Sequence, residues 1–194
     1  MRKLVAVENV SLDGVMQAPG RPDEDLYGGF EHGGWAKPYP DSVMGQAMGQ
    51  GMANAGAMLF GRRTYIDFFN VWPKRNNNPY TEALNNGQKY VASTTLSNPL
   101  PWQNSTLITG DVPATVARLK AGGDRDLVVL GSGELLRSLM QHRLVDEYVL
   151  LIYPLVLGSG RRLFPDAGAF EKLTLVSAIP TTTGVVIATY RVTA

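Results

Sequence analysis

The sequence predicts an α/β fold, a mostly parallel sheet that ends in antiparallel strands. Three observations carry this. Short runs that are apolar throughout, such as Ala57–Phe60 and Leu127–Leu130, suit parallel strands covered on both faces by helices. Helical patterns separate the early runs, whereas the last three runs follow one another, and this order suits a parallel sheet with an antiparallel end. The final run, Val185–Val192, ends in alternation, which suits a strand near a sheet edge.

Taken in order, the first strand is Leu4–Val10, and a long loop rich in Gly, Pro and aromatic residues, Met16–Pro40, follows it. Asp41–Asn54 then reads as a helix, with Met44, Met48 and Met52 at helical spacing. Gly45, Gly49 and Gly51 weaken it by up to about 1 kcal/mol each relative to Ala. The Met stripe reads most simply as core, since Met is an adaptable filler. The strand Ala57–Phe60 runs into Gly61-Arg62-Arg63-Thr64 and what looks like a helix, and Trp72–Asn86 reads as a second long loop. Strands are then expected at Lys89–Ala92, Thr106–Thr109 and Leu127–Leu130. Between the last two, Asp111 caps a helix with Pro113 in its first turn, Val112, Val116 and Leu119 on one face, and Gly122-Gly123 at its end. Another helix starts at Gly133 or Glu134, turns Leu135, Leu136, Leu139 and Met140 inward, and closes on His142-Arg143. The remaining strands are Glu147–Leu157, Leu173–Ala178 and Val185–Val192.

Composition narrows the function classes. The 194 residues fit one domain, 1–194, and 18 Lys+Arg against 17 Asp+Glu leave a net charge of +1. That balance argues against a dedicated nucleic-acid binder. No apolar stretch reaches the roughly 18–20 residues of a membrane helix, and Glu8 interrupts the first apolar run too soon for a signal peptide. With no cysteines and two distant histidines, His32 and His142, thiolate and all-histidine metal sites are not expected. A cytoplasmic protein without metal, membrane or nucleic-acid partners is the expectation.

Four blocks carry chemistry. In Gly61-Arg62-Arg63-Thr64-Tyr65 a strand meets a glycine, two arginines and a helix. Helix N-terminal amides and guanidinium groups receive phosphate well, although a solvated basic turn also fits. Gly131-Ser132-Gly133-Glu134 repeats the strand–Gly–helix pattern; alone it is no more than a tight turn, but ligands of open α/β sheets sit outside the strands' carboxyl ends. Ser93-Thr94-Thr95-Leu96 places hydroxyls after a strand, where they bond a ribose phosphate or cap a turn. Ser11-Leu12-Asp13-Gly14 leaves the first strand as a turn, or as the wall of a reacting site. Gly158-Ser159-Gly160-Arg161-Arg162 reads as a turn first, and both histidines read as structural or surface residues. No Gly-x-Ser-x-Gly elbow and no Walker-A spacing is present, so the pattern favours chemistry performed by a bound cofactor.

In this order and spacing, Ser11-Leu12-Asp13-Gly14, Gly61-Arg62-Arg63-Thr64-Tyr65, Ser93-Thr94-Thr95-Leu96 and Gly131-Ser132-Gly133 resemble the dihydrofolate reductase-like superfamily. The closest branch is that of the C-terminal reductase domain of bacterial riboflavin biosynthesis protein RibD. Leu144-Val145-Asp146-Glu147, Pro154–Gly160 and Leu163-Phe164 extend the resemblance over nearly the whole chain. It implies a central sheet of about eight strands with helices on both faces, NADPH as cofactor, and a homodimer. Gly61–Thr64 would meet the cofactor phosphates, Arg62 or Arg63 with Ser93 and Thr94 the 2′-phosphate, and Gly131, Ser132, Gly133 and Glu134 the diphosphate. The first strand and the loop through Val15 would cradle the nicotinamide. Paired glycines usual in the family are interrupted here by Ser132. The implied activity is NADPH-dependent reduction of a small heterocyclic or carbonyl/imine substrate, similar to dihydrofolate reductase or to the 5-amino-6-(5-phosphoribosylamino)uracil reductase of riboflavin biosynthesis. Asp13 is the candidate for orienting substrate or relaying a proton, with Trp35, Asp41 and Tyr153 as further substrate-binding candidates. A catalytically inactive NADP(H)-binding or sensing module is the alternative. Strands Glu147–Leu157 and Val185–Val192 are candidates for a shared dimer surface, although apolar strands are more often core.

Overall fold

The computed structural model describes residues 2–75, 79–164 and 170–193. Eight strands form one sheet in the order β4-β3-β2-β5-β1-β6-β8-β7. They are β1 Leu4–Ser11, β2 Ala57–Gly61, β3 Lys89–Ala92, β4 Ser105–Ile108, β5 Leu127–Leu130, β6 Glu147–Tyr153, β7 Lys172–Pro180 and β8 Val186–Thr193. The helices are α1 Ser42–Asn54, α2 Arg62–Val71, α3 Pro79–Asn86, α4 Val112–Ala121 and α5 Gly133–Gln141. The chain packs as two compact units, Met1–Ala6 with Gln46–Asp146 and Val7–Gly45 with Glu147–Ala194.

In the first unit β2 pairs in parallel with both β3 and β5, and β3 with β4. All four side chains of β5 are buried, which is why Leu127–Leu130 reads as an unbroken apolar run. Phe60, Tyr65 and Trp102 pack together near them, and the Tyr65 hydroxyl donates to Ser105 and accepts the Trp102 N–H. In the second unit β8 pairs antiparallel with β6 and β7, so the run of closing strands is the antiparallel part.

Three expectations need correction. The stretch Trp72–Asn86 is not a loop: a 3-10 turn covers Trp72–Lys74 and α3 covers Pro79–Asn86, while Asn76, Asn77 and Asn78 lie outside the described residues. Its helix carries one buried aliphatic side chain, Leu84, and so lacks a readable periodicity. Lys89 ends it instead, its fully buried ammonium donating to the carbonyls of Leu84, Asn85 and Gly87. The strand expected at Glu147–Leu157 stops at Tyr153, because the chain turns at Pro154 and the Leu155 carbonyl accepts the Leu12 N–H. Of the Met stripe on α1 only Met52 is buried; Met44 and Met48 are half-exposed.

Candidate functional site

Within the first unit, parallel register brings three strand ends to one edge: Gly61 lies opposite Ala92, and Leu59 opposite Val129. The turns after β2, β3 and β5 therefore gather Gly61–Thr64, Ser93-Thr94 and Gly131–Glu134. The helices that leave the turns after β2 and β5 start without a side-chain cap, α2 behind Gly61 and α5 behind Ser132. Helices α1 and α4 differ, since Asp41 accepts from Val43 and Met44, and Asp111 from Ala114. An uncapped helix start leaves several N–H groups without an internal partner.

Arg62 and Arg63 open α2, are exposed, and have no hydrogen-bond or ion-pair partner among the described residues. Cations at the positive end of a helix dipole are unfavourable by a few tenths to about 1 kcal/mol, and a bound anion removes that cost. The neighbouring turn is closely packed. Gly131 is left-handed (φ 57°), and a Cβ there would stand 3.3 Å from Thr64 Cγ2. Ser132 is left-handed as well (φ 73°), and its Oγ accepts the Gly61 N–H at 2.8 Å and donates to the Leu130 carbonyl at 3.2 Å. Amide donors, two guanidinium groups without a partner among the described residues and a close-packed glycine turn fit a nucleotide's phosphates.

Ser93 takes the turn-capping role: its buried hydroxyl accepts the N–H groups of Thr95 and Leu96. Thr94 beside it is exposed. Glu134 points outward, paired with Arg137 at 3.7 Å. His142 ends α5, its Nδ1 2.8 Å from the Ser138 carbonyl.

Within the second unit the Ser11-Leu12-Asp13-Gly14 turn is bound from both sides. Gly14 has φ 78°, the Ser11 hydroxyl accepts the Val15 N–H, and Leu12 N–H donates to the Leu155 carbonyl. The Asp13 carboxylate accepts the Ser11 hydroxyl at 2.6 Å and the N–H groups of Leu157 and Gly158 at 3.1 and 2.9 Å. These bonds, Ser11 first, hold its pKa at about 2. Asp13 is thus ionised at neutral pH and committed to the turn, a geometry for positioning rather than for relaying a proton. Val15 is fully buried, and the turn Gly158–Arg162 closes over it: a Cβ on Gly160 (φ 108°) would fall 2.8 Å from Val15 Cγ1 and 2.7 Å from the Phe30 ring.

The structure brings Trp35 and Tyr153 together, edge to face at 5.1 Å, with Tyr39 against the other side of Tyr153 at 5.5 Å. Trp35 is buried and donates its indole N–H to the Gln17 carbonyl. The Tyr153 hydroxyl bonds Asn9 at 3.0 Å and lies 3.7 Å from Met44 Sδ, and burial pushes its pKa up to about 12. Asp41 stands apart from this cluster in its bonding. One oxygen caps α1, and the other accepts the Thr182 N–H and hydroxyl, which hold its pKa below the usual carboxylate range. Both oxygens are therefore occupied.

Sequence reasoning passed over Asn9, Thr182 and Glu8. Asn9 and Glu8 were visible as polar residues inside the apolar first strand. Glu8 is buried, its Oε1 has no hydrogen-bond partner among the described residues, and burial pushes its pKa up to about 8. Thr182 lies 141 residues from Asp41 in sequence, and no local signal announces it.

An α/β fold with two uncapped helix starts at one sheet edge is the class that these features define. Residues 2–187 match the RibD C-terminal domain family, and the chain belongs to it. The uncharacterized protein YyaP of Bacillus subtilis (strain 168) is 30% identical over 138 residues, which cover 69% of this chain and 72% of YyaP. A putative riboflavin biosynthesis protein from Shewanella sp. PV-4 has a similar structure at 18% identity, with TM-score 0.73 and 99% of each chain covered. Dihydrofolate reductase from Enterococcus faecalis, solved with NADP(H), shares the fold at 12% identity and TM-score 0.62, covering 99% of this chain and 97% of that one. The fold is dihydrofolate reductase-like.

Proposed function

We propose that the protein is an NADPH-dependent reductase that transfers a hydride to a small heterocyclic or carbonyl/imine substrate. The observation that carries this reading is the pair of uncapped helix starts behind neighbouring parallel strands, one of them opened by two unpartnered arginines. Amides of Arg62, Arg63, Thr64, Gly133 and Glu134 would hold the diphosphate, and the Arg62 or Arg63 side chain the 2′-phosphate beside Thr94. When bound, the reduced nicotinamide supplies the hydride. The NADP(H) complex of the Enterococcus enzyme supports the choice of cofactor.

In the second unit, Trp35, Tyr153 and Asn9 are the groups we assign to orienting the substrate, with Asp13 holding the turn that carries Val15. Hydride transfer depends on alignment to about 3–3.5 Å more than on a strong base, which agrees with carboxylates already bound to the backbone. Asp13→Ala is expected to lower kcat through disorder of the turn, without the loss of an acid limb in the pH–rate profile. NADPH oxidation against a panel of heterocycles, imines and carbonyl compounds tests the reaction. Binding without turnover across the whole panel would favour the nucleotide-sensing alternative.

The homodimer belongs to the same proposal. Most of β6 is buried and so is core, whereas β8 buries two of its eight residues, Ile187 and Ala188. The edge strand β7 exposes Leu175 (53%), Val176 (48%) and Ile179 (41%), an apolar edge of the kind that pairing covers.

A further inference from the structure

We propose that Ser132 is a positioning residue whose hydroxyl clips the turn after β5 to the turn after β2, holding both as one preformed cradle for the nucleotide diphosphate. This rests on the reductase reading above. Ser132 sits at φ 73°, ψ 52°, a left-handed conformation that is strained for a residue with a Cβ. Such strain persists only where the surroundings hold it, and it gathers at ligand clamps.

What holds it here is its own side chain. Oγ accepts the Gly61 N–H and donates to the Leu130 carbonyl, and so bridges residues 71 apart in sequence. Each bridged turn opens an uncapped helix. The sheet ladder already joins β2 to β5 through Ala57–Leu59, so the clip adds little to strand pairing. It acts beyond the ladder, where the backbone would otherwise be free.

Two consequences follow. The hydroxyl and the Gly61 N–H are both engaged, so neither is a phosphate ligand, and the amides further into α2 and α5 take that part. Fixing the turns beforehand also removes an ordering cost from binding.

Full-length wild type, Ser132→Gly and Ser132→Ala are compared for unliganded melting temperature, NADPH Kd by tryptophan fluorescence, and the steady-state constants. In S132G, relief of the left-handed strain offsets the lost bonds, so its melting temperature stays near wild type. Its NADPH Kd and KM rise roughly 3–10-fold, the worth of one hydrogen bond, and kcat is held. S132A keeps the strain without the clip, and both affinity and melting temperature fall. S132G binding NADPH as tightly as wild type would overturn the clip and leave the reductase reading standing. Wild type binding no nucleotide would overturn both, and that failure shows before any variant is made.

Discussion

Glu8 occupies a buried place in β1 where an apolar side chain would be unremarkable, and one of its oxygens has no hydrogen-bond partner among the described residues. Its folded pKa, about 8, lies above the ordinary value of 4.5. The unfolded chain therefore loses this proton first as pH rises, and stability falls through the window from about 4.5 to about 8, by at most about 1.4 kcal/mol per pH unit from this group. Urea denaturation at pH 5 and pH 8 should show that loss in wild type and a flatter profile in Glu8→Gln; equal profiles would assign the slope to other groups. Arg62 and Arg63 make the complementary case of charge at the surface. Replacing both with Ala should weaken NADPH roughly 10–100-fold, the range of a charge-assisted hydrogen bond, and change NADH little. An equal loss for both nucleotides would remove the arginines from 2′-phosphate recognition.

Elements succeed or fail as sequence signals according to what stabilises them. Strand β5 and helix α4 were legible, since an apolar run and an Asp111 cap are local features. Helix α3 was not legible. Its C-terminal end is satisfied by Lys89 from the next strand, which also lies over the Trp102 ring at 4.7 Å. Lys89→Met should leave those carbonyls unpaired and cost about 1–3 kcal/mol in denaturant unfolding. The gathering of the turns after β2, β3 and β5 was legible for the same reason as β5, because glycine turns and arginines sit next to the strands they end. The bonding of Asp41 and Asp13 was not legible, because their partners, Thr182 and Leu157-Gly158, are distant in sequence. Gly160→Ala probes that tie: with a Cβ 2.7 Å from Phe30, it should destabilise by roughly 1–3 kcal/mol. An unchanged melting temperature would show that the turn yields.

At the scale of the whole molecule, membership of the RibD C-terminal domain family and the dihydrofolate reductase-like fold agree with the reading taken from motif order. Motif order carried that information because each block lies directly at the end of a strand. The substrate was not legible, since the side chains of the second unit are bonded mainly to one another. If β7 forms the shared surface, sedimentation at micromolar concentration should give twice the chain mass of 21.1 kDa, and Leu175→Lys with Ile179→Lys should return it to a monomer. A wild-type monomer would remove the dimer. The central claim is the nucleotide site, and titrating the purified protein with NADPH and with NADH tests it most directly. With Trp35, Trp72 and Trp102 as fluorescence reporters, NADPH should bind tightly and raise the melting temperature, and NADH should do so more weakly. No response to either nucleotide would contradict the account.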